Sequence, residues 1–235
     1  MFASLLRNSR LLARGGFLCL GWLLAGVAPA APRMDFVPPL AGSYKLERIQ
    51  PATDGAVLDA EGKRRRLAEF TRGRVTLLAF MYASCADPNG CPYALTVMHA
   101  VKDELEKLPE TRSRVRFVSL SFDPQRDTPQ ALAHYGHEHG GHAHGDAAQH
   151  LAWDFLTTRS RRELLPILSG FGQDVGVDID KATGKPVGTY SHVLKVFLID
   201  RKQMVREIYT ADYLLAPMVL NDIKTLLMED GVKLK

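Results

Sequence analysis

From Arg74 to Tyr82 the chain runs RVTLLAFMY. It is apolar almost throughout and β-branched at its start, the pattern of a strand buried on both faces. Beyond it, Leu95, Met98, Val101, Leu105 and Leu108 recur at helical spacing. Pro92 suits the first turn of that helix, where no backbone N–H is needed. Val115 to Phe122 predicts a second strand. Asp127-Thr128-Pro129 predicts the cap of a helix reaching about Tyr135. Periodicity is lost from Gly136 to His150. It returns as a short strand at Leu151 to Leu156 and a helix from Arg161 to Phe171. A third long strand is expected from His192 to Asp200, a fourth from Met204 to Tyr209, and a closing amphipathic helix from Leu215 to Met228. Upstream, residues 44–72 are turn-rich and predict a small strand pair around Gly55 and Gly62.

This order alternates strands with helices, takes an insertion, and ends in a β-hairpin and a helix. It predicts an α/β domain with parallel pairing and an antiparallel edge. A thioredoxin-like fold with an N-terminal strand extension and a His-rich insertion fits the order. In such a fold the end of the first long strand and the start of the next helix form a surface site.

The first 30 residues stand apart. Arg7, Arg10 and Arg14 precede an apolar segment from Phe17 to Val27, and Ala28-Pro29-Ala30 supplies small residues for cleavage. This reads as a secretory signal peptide over 1–30. The rival reading is an uncleaved inner-membrane anchor in the uncharged stretch from Gly15 to Ala31. Either way the domain, 44–235 behind a Pro-rich tether at 31–43, is expected outside the cytoplasm, in the periplasm. Removing the leader changes the charge picture. Three of the 30 basic residues go with it, leaving 27 against 26 acidic ones. The pI of about 9.0 therefore belongs to the leader, and no nucleic-acid partner is expected.

Of three cysteines, Cys19 lies in the leader, and Cys85 and Cys91 remain. They fall where the first long strand hands over to the helix. Pro88-Asn89-Gly90 between them is a strong turn sequence that folds the chain back. Two thiolates with the imidazole of His192 make a donor set that suits Cu(I), and two adjacent thiols also suit disulfide exchange. Cys91, at a helix N-terminus, is expected to be the more acidic thiol. Asp123 and Asp127 are expected to brace the loop beside the site, and Met81 and Tyr82 to pack near the cysteines.

Three segments, Tyr82-Ala-Ser-Cys85 with Cys91-Pro92, Ser121-Phe-Asp123-Pro124-Gln-Arg126-Asp127-Thr128-Pro129, and Ser191-His192 with Phe197-Leu-Ile-Asp200, resemble the signature regions of the Sco/SenC family of thioredoxin-like copper chaperones. The likeness runs from about Gly42 to Lys235. It implies a copper ion, Cu(I) or Cu(II), held by Cys85, Cys91 and His192. It also implies a metallochaperone that serves a copper-receiving membrane oxidase subunit or other cuproprotein, as in cytochrome c oxidase assembly, and meets a thiol–disulfide reductant. The alternative is a thiol–disulfide oxidoreductase using the same cysteine pair without a required metal. Two departures stand out: five residues separate the cysteines where the family has three, and Ser191 replaces the acid that precedes the histidine in the family.

The segment Gly136-His-Glu-His-Gly140 is followed by Gly141-His-Ala-His-Gly145, a tandem near-repeat. With His134 and His150 it concentrates six of the eight histidines in one stretch. His137, His139, His142 and His144 are candidates for a secondary metal-collecting loop for Cu(II), Ni(II) or Zn(II). Its glycines predict a flexible loop over 136–150, disordered without metal.

Overall fold

The structure, a computed structural model, describes residues 37–140 and 150–234. The leader, together with His142 and His144, lies outside the described residues. In chain order the strands are β1 (Gln50–Pro51), β2 (Ala56–Leu58), β3 (Arg64–Arg66), β4 (Val75–Met81), β5 (Val115–Ser121), β6 (Ala152–Leu156), β7 (Val175–Ile179), β8 (Pro186–His192), β9 (Lys195–Ile199) and β10 (Met204–Thr210). The α-helices are α1 (Leu67–Thr71), α2 (Cys91–Glu106), α3 (Pro129–Glu138), α4 (Arg161–Phe171) and α5 (Ala216–Glu229).

Six strands form one sheet in the order β1-β10-β9-β4-β5-β6. β4, β5 and β6 run parallel, while β9 and β10 add the antiparallel side. Every residue of β4 and of β5 is buried, as the continuous apolar runs predict for strands covered on both faces. The period of two then divides them. Val75, Leu77 and Ala79 join α2, α3 and α5 in one core, with Met98, Trp153 and Ile223. Leu78 and Phe80 join α1 and α4 in the other, with Phe70, Ile167 and Phe197.

Several expectations change in physical detail. The strand expected over His192–Asp200 is two: β8 ends at His192 and β9 starts at Lys195. The polar pair Ser191-His192 does not suit the doubly buried centre of a sheet. It ends a separate two-stranded ribbon, β7–β8, in which Val175 pairs with His192. The helix expected to reach Tyr135 runs on to Glu138, so the predicted loop over 136–150 begins later. Gly136 acts there as a point of close approach: a Cβ would lie 2.9 Å from Phe155 Cδ2. Thr128 caps this helix as expected, accepting from Ala131 N at 3.2 Å. The stretch read as a tether is docked on α5 where it is described. Pro39 O accepts from Asn221 Nδ2 at 2.8 Å, and Gly42 N donates to Thr225 Oγ1 at 2.9 Å. The strand pair around Gly55 and Gly62 is β2–β3.

Asp222 of α5 accepts hydrogen bonds from Tyr44 and Tyr209. Burial, set against those two hydrogen bonds, leaves its carboxyl above the ordinary 3.8. The folded state thus holds this proton more tightly than the unfolded chain. The group's contribution is full below the ordinary pKa and is lost as pH rises through the raised one. The stability cost of Asp222→Asn should therefore shrink as pH rises from 3.8 towards neutrality. Thermal melts of both proteins across that range measure it, and a cost that grows with pH contradicts the assignment.

Candidate metal centre

The site begins where β4 leaves the sheet. Past Met81 the chain turns at once: Cys85 N donates to Tyr82 O at 3.1 Å. Asp87 then folds the loop back, its Oδ1 accepting from Asn89 N at 3.0 Å and its carbonyl from Gly90 N at 3.0 Å. Gly90 caps α2, and Cys91 is the first helical residue, with Pro92 in the first turn. The two cysteines are free thiols close enough for each to act on the other's charge. The Asp-Pro-Asn-Gly bend accounts for this in spite of the five intervening residues.

The expected acidity of Cys91 is overturned. Cys91 is only 5% exposed, in the core beside Met81 and Tyr82. Burial pushes its thiol up to about 12, and the charge of Cys85 adds to the rise. A backbone hydrogen bond from Tyr82 opposes this but is the smaller effect. Desolvation of the thiolate outweighs the helix N-terminus here. Cys85 is half-buried and reachable. Limited alkylation by iodoacetamide should modify Cys85 first and leave Cys91 largely unlabelled in the native protein, as read by peptide mass spectrometry. Preferential labelling of Cys91 contradicts this ordering.

Tyr82 links the thiols to the histidine. Burial first, then the charge of Cys85, raises its phenol to about 12. Its ring centroid is 6.4 Å from that of His192, and Phe122 lies 4.9 Å from the imidazole on another side. His192 reaches this position from the ribbon, not from the main sheet. Tyr190, two residues earlier on the same strand face, packs on Tyr82 at 5.2 Å and Phe122 at 5.4 Å. Arg126 pairs with Asp123, donates to Gly188 O, and lies 5.7 Å from the Tyr190 ring centroid. These contacts clamp the ribbon over the end of β5.

Asp127 holds the floor. Its Oδ2 accepts from Ala83 N at 3.0 Å and from Ser121 Oγ at 2.5 Å, tying the chain after β4 to the end of β5. Burial raises its carboxyl above the ordinary value. Tyr135 of α3 is a further neighbour, its phenol raised to about 12 by burial and then by the charges of Cys91 and Cys85. Sequence reasoning missed Tyr135 and Tyr190. The i, i+2 relation of Tyr190 to His192 was the available signal once β8 is seen as a strand.

The fit to a soft ion rests on one anomaly. Both ring nitrogens of His192 are buried and make no hydrogen bond. An imidazole so placed costs free energy unless something engages it, and metal ligation is one role that uses an otherwise unpaired nitrogen. The thiols and the imidazole share Tyr82 as neighbour without converging. Among the described residues, no three His, Cys, Asp or Glu side chains are gathered closely enough to hold one ion.

A family model described as SCO1/SenC matches residues 54–228. The chain belongs to the SCO1/SenC family. SCO1/SenC relatives of known structure share its fold: the apo Sco1 protein from Thermus thermophilus superposes with a TM-score of 0.61 at 22% identity, over 81% of this chain and 98% of that one. ScoI of Arabidopsis thaliana, solved with copper bound, gives a TM-score of 0.60 at 18% identity over 76% and 98%. A Stutzerimonas stutzeri protein named for copper binding is 37% identical over 67 residues, 28% of this chain and 31% of that one. A SCO2-like protein of Rickettsia prowazekii is 28% identical over 99 residues, 41% and 45% of the two chains. These matches span less than half the length of either curated relative. The SCO1/SenC fold is thioredoxin-like, and Cys85 and Cys91 lie between the end of its strand β4 and the start of α2.

Proposed function

We propose that this chain is an exported copper-binding assembly factor. Copper is its cargo, taken as Cu(I) by the thiolates of Cys85 and Cys91 with His192 as third donor. The observation that carries the reading is the imidazole of His192, both of whose nitrogens are buried and unpaired, which shares Tyr82 as a neighbour with two free thiols. Solved relatives bearing copper, and a relative named for it, support the choice of ion. One solved relative is described as a member of a family of cytochrome c oxidase assembly proteins, which makes a membrane oxidase subunit the favoured recipient.

Loading one ion with all three groups requires the β7–β8 ribbon to bring His192 towards the thiols, and it releases the proton that burial holds on Cys91. Transfer by ligand exchange onto a partner's cysteines and histidines keeps the ion from becoming free. The basic, apolar leader favours export to the periplasm, cleaved or held at the inner membrane. Among the described residues no helix is long and apolar enough to cross a bilayer.

Thiol–disulfide exchange is the second reading, favoured by two free thiols near enough to act on each other's charge. It reverses the expected roles: the accessible Cys85 attacks and the buried Cys91 resolves. A competition titration of reduced protein with Cu(I) against a chelator, repeated on His192→Ala, separates the two. Loss of copper affinity with disulfide exchange intact supports copper handling. Wild type that holds copper no better than Cys85→Ser/Cys91→Ser refutes it.

A further inference from the structure

Between the β7–β8 ribbon and the loop after β5 lies a groove of about 360 Å³. Phe122, Val177, Pro186 and Tyr190 give it apolar walls, and Arg126 and Arg161 give it charge. Val177 is 37% exposed, and Ile179, the cross-strand partner of Pro186, is 51% exposed. Apolar surface rimmed by polar side chains is the form that interaction sites take.

The charges in the groove do not balance. Among the described residues that line it the one carboxylate is Asp123, which is 1% exposed and already taken by Arg126. Arg126 lies along the ribbon, donating to Gly188 O. Gly188 leaves the space for it: a Cβ there would stand 2.9 Å from Arg126 Nη1. Arg161 differs. It is half-buried and pairs with no carboxylate among the described residues. Its Nη2 donates only to Val175 O, at 3.4 Å, the long limit of a hydrogen bond. Arg159 and Arg162 flank it and are exposed. A guanidinium with most of its fork unused is suited to grip a carboxylate with two parallel hydrogen bonds.

We propose that this groove is where the copper recipient docks, and that it takes an extended segment of that partner carrying a carboxylate beside an apolar side chain. The identity of the partner rests on the copper-handling reading. The carboxylate pairs with Arg161, and its apolar neighbour lies against Val177 and Pro186. A basic segment would instead meet two arginines, and like charges set against each other exclude wrong partners. Occupancy is felt at the histidine. Phe122 lies 4.9 Å from the His192 ring and 5.4 Å from Tyr190, which stands two residues from His192 on β8. A segment seated in the groove thus touches the rings that hold the imidazole, and brings the partner within reach of the donor it must replace.

The test uses full-length, reduced, metal-free protein. The probe is the soluble, metal-free copper-receiving domain of the oxidase subunit from the same source, titrated by calorimetry. The two should bind, and more weakly as ionic strength rises. Arg161→Glu should lower affinity by about tenfold or more, and Val177→Asp by a similar factor. Lys107→Glu, at the far end of α2, should leave it unchanged. If Arg161→Glu lowers the melting temperature through loss of its bond to Val175 O, the exposed position of Val177 lets Val177→Asp decide. Absence of binding at millimolar concentration overturns the groove. So does affinity that survives both Arg161→Glu and Val177→Asp, or that falls equally with Lys107→Glu. Docking is read between metal-free proteins, and Cu(I) affinity in the separate chelator titration. Protein that holds copper but shows no groove-dependent docking therefore overturns the groove and leaves the copper-handling reading standing.

Discussion

Reduced protein in which both cysteines are replaced by serine should lose Cu(I) affinity on the order of a thousandfold or more. Each lost thiolate should cost at least the ten- to hundredfold typical of a partner one shell further out. His192→Ala should cost about ten- to hundredfold by the same reasoning. The histidine also separates function from stability. Its two buried nitrogens lack partners, and an unmet buried polar group costs about 1–3 kcal/mol. In metal-free protein, His192→Leu fills the space between Tyr82 and Phe122 with an apolar side chain and removes that cost. It should raise the metal-free melting temperature by about 2–4 °C per kcal/mol recovered while weakening copper binding as His192→Ala does. A lowered melting temperature for His192→Leu would show that the imidazole is a satisfied structural residue, and the main argument for a copper ligand would go with it.

The second large effect is expected at Asp127. This carboxylate is 3% exposed and receives two donors, Ala83 N and Ser121 Oγ, on the same oxygen. Asp127→Ala strands both in the interior. At about 1–3 kcal/mol for each unmet buried group, less the desolvation that the carboxylate no longer suffers, a loss of about 2–4 kcal/mol follows. Denaturant unfolding measures it directly. Asp127→Asn keeps an oxygen for both donors and should recover most of the loss. The same change should loosen the turn that positions Cys85, so Cu(I) affinity should fall for Asp127→Ala more than for Asp127→Asn. Equal stability of the alanine and asparagine variants would mean that the brace contributes little.

The core of the fold was legible because its signals are local and strong. The run from Val75 to Met81 and the spacing of Met98, Val101 and Leu105 leave few alternatives, and both elements form where the pattern puts them. The ribbon was not legible. Val175–Ile179 carries Gly176 and an acid, and its partner β8 is largely exposed, so neither strand shows the alternation that marks a half-buried sheet. Gly136 was misread for a related reason: as a breaker it ends a helix, but here it lets α3 press against Phe155. At the site, the turn between the cysteines followed from Pro88-Asn89-Gly90. The acidity of Cys91 did not. A helix N-terminus is visible in sequence, whereas the depth at which it is buried depends on Tyr82, Met81 and the chain segments packed around them.

Among the described residues, the ribbon on which His192 rides shares no strand ladder with the six-stranded sheet. It is held through Arg126, Tyr190 and Gln173, whose Nε2 donates to Val193 O at 3.0 Å. Donor and scaffold are thus separate parts. Lineages could lengthen, shorten or recharge the Val175–His192 ribbon, and so retune how readily cargo is surrendered, without rebuilding the layers beneath. The thiols, seated in the turn after β4 and on the first residue of α2, have no such freedom.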